Sequence, residues 1–177
     1  MSFHIRPATP ADAAAIAHIH VASWKTTYPG IVPQPFIDAI NEEERRQRWL
    51  ASLEAADHPI FVAESGSALF GFIDGGSIRQ PVADYDGELN AVYLLEGYQR
   101  HGAGRALVQQ LARTLHAHGL RSMLVWVLEA NPAVGFYRHL GAIPVTRKTI
   151  EIGGAALPEL ALGWPNLKIL AETPVPK

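Results

Sequence analysis

The sequence predicts an α+β fold of mixed α/β layers, a largely antiparallel sheet flanked by helices, and three observations carry that prediction. Residues 60–64 and 69–73 are short apolar runs joined by Ser65-Gly66-Ser67, the spacing and turn chemistry of a β-hairpin, and a third run beginning at Glu88 continues the series. Within residues 88–119 the period changes. Leu89, Ala91, Val92, Tyr93, Leu94 and Leu95 read as a buried strand, whereas Leu107, Val108, Leu111, Ala112 and Leu115 share one stripe of a helix that Gly119 can close. A strand at 123–128 then requires one crossover through that helix. Residues 142–152 and 157–164 form a last strand pair around Gly153-Gly154.

The remaining elements fit around this frame. Residues 3–6 read as a first strand ended by Pro7, and Thr9 or Asp12 can cap the helix that follows, with Ala13, Ile16, Ala17, Ile19 and Val21 toward the core. His18 and His20 stand two residues apart, on different helical faces, so they do not share a metal. Trp24 and Tyr28, at i and i+4 near the helix end, either wall a pocket or pack on the core; Pro33 and Pro35 then introduce a short helical piece at 36–40. The run from Glu42 to Arg48 places acids before bases, as a solvated helix start would, and Trp49, Leu50 and Leu53 give its buried side. Gly75, Gly76 and Pro81 loosen the chain before Glu88, and residues 131–140 form a short helix. No repeat or linker divides the chain, so residues 1–177 are read as a single domain, with about 166–177, carrying Pro174 and Pro176, as a frayed C-terminal tail.

Composition excludes several classes. With no cysteine among 177 residues there is no disulfide framework, thiolate metal site or cysteine nucleophile, and no metal is expected. The formal net charge of −2, without basic blocks, argues against nucleic acid or a membrane surface as partner. The start lacks a signal-peptide pattern and no run of about 18 apolar residues occurs, so a cytoplasmic location is expected.

The chemistry concentrates in Gln99, Arg100, His101, Gly102, Ala103, Gly104 and Arg105, between the central strand and its helix. Gly102 and Gly104 let a ligand approach the backbone, so N–H groups at the helix start can point at a phosphate beside two arginines. A tight strand-to-helix turn that binds nothing is the other reading of the glycine pair. A dinucleotide fingerprint would need a third glycine where Leu107 stands, and a P-loop would need Gly-Lys-Ser/Thr, which the chain lacks.

Gln99, Gly102 and Gly104 match the Gln/Arg-x-x-Gly-x-Gly/Ala hallmark of the GNAT N-acetyltransferase superfamily. Residues 131–141, Asn-Pro-Ala-Val-Gly-Phe-Tyr-Arg-His-Leu-Gly, resemble that family's Asn-x-x-Ala-x-x-Phe-Tyr-x-x-x-Gly-Phe segment. Glu96, Gly135 and Ala142 depart from the pattern at positions that touch neither phosphate nor proton transfer. The resemblance implies a sheet whose fourth and fifth strands splay apart around the pantetheine arm of acetyl-CoA, with direct acetyl transfer to a primary amine in a ternary complex. It implies that the backbone of Val92, Tyr93 and Leu94 pairs with the arm, that Gln99 through Arg105 holds the pyrophosphate, and that Asn131 meets the pantetheine amides. Tyr137 matches the general acid that assists the departing thiolate. Glu88 is the candidate base, with Asp86, Tyr93 and His139 as rivals, and the segment with Trp24 and Tyr28 covers a small-molecule or peptide amine. A GNAT domain that binds acyl-CoA as a sensor without turnover is the alternative. The identity of the amine and the oligomeric state, a homodimer included, stay open.

Overall fold

The computed structural model describes residues 2–172. Strand β1 (His4–Pro7) leads through a short 3-10 turn into α1 (Ala13–Thr27), followed by α2 (Gln34–Asp38) and α3 (Glu42–Ala55). Next come β2 (Ile60–Ser65), β3 (Ala68–Ser77) and β4 (Gly87–Leu94), then α4 (Ala103–Ala117) and β5 (Met123–Leu128). The chain continues with α5 (Ala133–His139), β6 (Ile143–Ile152), β7 (Ala155–Trp164) and α6 (Leu167–Glu172). The strands form one seven-stranded sheet in the order β1-β2-β3-β4-β5-β7-β6. β4 and β5 are parallel and the other neighbouring pairs antiparallel, as a single helical crossover demands.

Alternation in β2 separates two cores. Phe61 and Ala63 join Leu107, Leu111 and Leu115 of α4 on one face, while Ile60 and Val62 join Ile16 and Ile19 of α1 and Trp49 and Leu53 of α3 on the other. The turn before α1 is locked by Arg6, whose guanidinium forks onto Asp12 at 2.8 and 2.9 Å, while the Asp12 carboxylate also accepts the Thr9 N–H. These bonds, the Arg6 bond foremost, hold Asp12 at a pKa of about 2. Asn41 caps α3 by accepting the Glu44 N–H at 3.0 Å.

Two expectations change. Gly75 and Gly76 do not loosen the chain but lie inside β3, where a Cβ on Gly75 would stand 2.6 Å from a Leu111 methyl and 2.7 Å from the Glu88 carbonyl. The missing side chain lets α4 settle onto the sheet. The segment read as a frayed tail contains α6, which buries Leu167 and Leu170 against the α4 face and accepts a 3.2 Å bond from Gln109 Nε2 at the Leu170 carbonyl. Pro174 and Pro176 lie outside the described residues. No described helix is long and apolar enough to cross a membrane.

Candidate active site

The site is created where two strands part. β4 and β5 pair only from Gly87–Met123 to Leu89–Val125, whereas β4 stays on β3 as far as Leu94 and β5 stays on β7 as far as Leu128. The facing edges beyond Leu89 and Val125 are left without a ladder, and a cleft of about 700 Å³ opens between them. Unpaired backbone amides in such a position call for a partner, and an extended chain bearing amides supplies one. Val92, Tyr93 and Leu94 all line this cleft.

The outer end of the cleft is the glycine turn. Gly102 takes φ +87° immediately before α4, and beyond its chain neighbours nothing lies within 4 Å of the place its Cβ would occupy, so a ligand can approach the backbone at the start of the helix. Gly104 serves packing instead, since a Cβ there would stand 3.3 Å from the Phe136 ring of α5. Gln99, Arg100, Gly102, Gly104 and Arg105 line the cleft, while His101 is exposed beside it and Ala103 is buried beneath. Gln99 is exposed, but its Nε2 donates to the Leu94 carbonyl at 3.2 Å, so it staples the strand end to the turn. A donor-rich helix start feeding an unpaired strand edge fits a pyrophosphate followed by an amide-bearing arm.

Hydroxyl groups gather on the opposite wall. Trp24 Nε1 donates to Tyr93 Oη at 3.1 Å, and Asn131 Nδ2 donates to Tyr28 Oη at 3.2 Å. Asn131 is buried, and its Oδ1 also accepts the Ala133 N–H at 2.8 Å, so it starts α5 as well as holding Tyr28. Trp24 and Tyr28, their rings 4.3 Å apart, both line the cleft and pack against its neighbours. Tyr137 on α5 lines the same cleft, with its ring edge-on to Trp164 at 6.0 Å. Burial, and secondarily the Tyr28 hydroxyl, pushes its phenol above the ordinary range.

Glu88 stands apart. Its buried carboxylate accepts the Arg79 N–H at 3.1 Å and pairs with the Arg79 guanidinium. Burial pushes its pKa up, but the Arg79 bonds together with the Arg79 and Lys148 charges outweigh that and set it below its ordinary value. It lines an adjoining pocket of about 300 Å³ with Arg79, Gln80 and Lys148; Trp126 and Glu159 belong to both spaces. Of the other bases considered, Asp86 holds the Arg121 and Ser122 N–H groups and so is occupied in a loop contact.

Sequence reasoning missed Asn90, Asp74 and His58. A bulge in the β3–β4 ladder, between Asp74–Ala91 and Gly75–Leu89, leaves Asn90 as the extra residue. Asp74, buried in β3, receives Asn90 Nδ2 at 3.5 Å and lies 2.9 Å from His58 Nε2. The Asp74 bond, opposed by burial and reinforced by the charges of Asp74 and Asp57, raises His58 to a pKa of about 9. The charged pair is therefore fully present below the ordinary histidine pKa and is lost as pH rises through about 9. After discounting for solvent, urea denaturation should show wild type losing about 1–2 kcal/mol more than His58→Gln between pH 6.5 and 9.5. Parallel pH profiles for the two proteins would show that the pair adds nothing.

Residues 16–142 match the model of the acetyltransferase (GNAT) family, and the chain belongs to that family. Acyl transfer from acetyl-CoA is the reaction class in which this places the protein. The uncharacterized N-acetyltransferase YuaI of Bacillus subtilis is 44% identical over 169 residues, covering 94% of this chain and 95% of YuaI. The phosphinothricin N-acetyltransferase of Streptomyces viridochromogenes is 29% identical, covering 85% of this chain and 78% of its own. Among solved structures, yncA of Salmonella typhimurium, determined with its cofactor acetyl-CoA, shares the fold at a TM-score of 0.70. It has 22% identity and covers 100% of this chain and 99% of its own.

Proposed function

We propose that the protein acetylates a small-molecule amine directly, with acetyl-CoA and the amine bound together. The observation that carries this reading is the continuity of one cleft from the Gly102 turn, along the free edge of β4, to a wall bearing Tyr137. Bound acetyl-CoA supplies an activated acetyl thioester. The α4 N-terminus holds the pyrophosphate, and the backbone of Val92, Tyr93 and Leu94 keeps the arm extended. Tyr137 holds its hydroxyl proton toward the departing sulfur. Its raised pKa favours hydrogen-bond donation over complete proton transfer, because a thiol near pKa 8.5 gives up the contest to a more basic phenolate. That hydroxyl on the cleft wall favours turnover over the sensor alternative, and the phosphinothricin relative supports a small acceptor.

The acceptor must lose a proton, and Glu88 is our candidate for receiving it through water from the adjoining pocket. Direct transfer from an ammonium of pKa about 10 to a carboxylate below 4.5 is uphill by roughly 6 units, so a relay with escape to solvent is the workable route. Glu88→Gln should lower kcat/KM about 100-fold and move or abolish its acidic limb, with CoA affinity retained. An unchanged pH profile would transfer the role to water alone. The reading as a whole is tested by following thiol release from acetyl-CoA with phosphinothricin, spermidine and an alanine-terminated peptide. Release with either small amine supports it, and release only with the peptide overturns the small-molecule acceptor.

A further inference from the structure

The β4 bulge places one side chain in the cleft whose bonding is incomplete. Among the described residues, Asn90 Oδ1 is a fully buried side-chain atom with no hydrogen-bond partner, and Asn90 lines the cleft. Its orientation is set from behind. The Asp74 carboxylate can only accept, so the Asn90 amide must turn its NH₂ group toward Asp74 and its oxygen away from it. Asp74 is in turn fixed by His58, which also meets Asp57, so the chain Asp57–His58–Asp74–Asn90 runs from an exposed carboxylate to the cleft. An acceptor held in this way is aimed at a donor.

Position identifies the donor. Asn90 is the first β4 residue past the last β4–β5 pair, Leu89–Val125, at the apex where the strands part. At about 3.3 Å per residue it lies roughly 13 Å along β4 from Leu94, beside which the phosphate turn is stapled by Gln99. The arm reaching inward from that turn therefore ends at the apex, and the group that must meet the acyl carbon there is an amine, which carries N–H donors.

We propose that Asn90 is an acceptor-binding residue, its Oδ1 taking one N–H of the incoming amine so that the nitrogen lone pair faces the acyl carbon. This rests on the acetyltransferase reading and adds to it the contact that orients the nucleophile. An amine is matched by a lone acceptor, whereas a hydroxyl or thiol nucleophile would spend its single proton on the bond and require it to be surrendered again during attack.

Asn90→Leu and Asn90→Ala test the assignment. With phosphinothricin and spermidine each as acceptor, both variants should lose about 10-fold or more in kcat/KM. CoA affinity, by calorimetry, should match wild type, and the melting temperature of Asn90→Leu should equal or exceed it, because a buried unpaired acceptor adds no stability. A residue that merely supported the fold would instead lower the melting temperature. Wild-type kcat/KM in both variants would overturn the proposal, and so would a parallel loss of CoA affinity, which would give the contact to the pantetheine arm. Failure of the wild type to acetylate either amine, while CoA still binds, would overturn the small-amine reading beneath it and the proposal with it.

Discussion

Tyr137→Phe should lower kcat about 100-fold while leaving CoA affinity and melting temperature nearly unchanged. The variant removes one oxygen and keeps the ring that packs against Trp164 and Phe136, so the core around α5 keeps its contacts. Its burial makes the loss chemical: a hydroxyl in a low-dielectric wall stabilises a forming thiolate more than one in water does. Because the contact strengthens as charge develops on sulfur, kcat and kcat/KM should fall together, with little change in the acceptor KM. Single-turnover measurement with the acceptor identified by thiol release, under conditions where chemistry limits the rate, is the decisive form of the experiment. A wild-type single-turnover rate would leave Tyr137 a packing residue and place the thiolate's partner elsewhere.

The parts of this molecule legible in its sequence are those set by local chain chemistry. The run from Leu89 to Leu115 changes from strand to helical period across two glycines, and the structure has β4, a left-handed Gly102 and α4 there. The β2–β3 hairpin and the β6–β7 pair were likewise written in turn residues. What sequence could not show depends on partners distant in the chain. Asn90 looks like one polar residue in an apolar strand, and only the mismatch between Asp74–Ala91 and Gly75–Leu89 makes it protrude. Glu88 reads as a strand-end carboxylate, but whether it is free or paired is decided by Arg79, nine positions earlier in a connecting loop. Gln99 belongs to the phosphate motif by spacing, whereas its amide is engaged with Leu94. The α6 segment was misread because the prolines beyond it signalled fraying, while Leu167 and Leu170 found burial on α4, which no local pattern records.

Gly102→Val should weaken CoA binding about 100-fold, the loss expected when two or so charge-assisted backbone bonds to an anion are blocked. The two glycines of the turn are not equivalent. At Gly104 a valine collides with Phe136, so lost binding there would be mixed with disturbed α4–α5 packing. At Gly102 no atom beyond its chain neighbours lies within 4 Å of the new Cβ, so no comparable collision with the rest of the protein confuses the result. The backbone at φ +87° opposes valine as well, with about 1–2 kcal/mol of strain that a thermal melt can measure separately. Gly102→Ala carries similar backbone strain with less bulk, so a graded loss of affinity from glycine through alanine to valine would track occupied space. Arg100→Ala should cost far less, because that side chain is exposed and its charge is screened, whereas the amides are fixed by the helix. Calorimetric titration of CoA into the wild type and the three variants gives the order. Equal affinity in wild type and Gly102→Val would remove the pyrophosphate from this turn, and a larger loss in Arg100→Ala than in Gly102→Val would make the site one of side-chain charge.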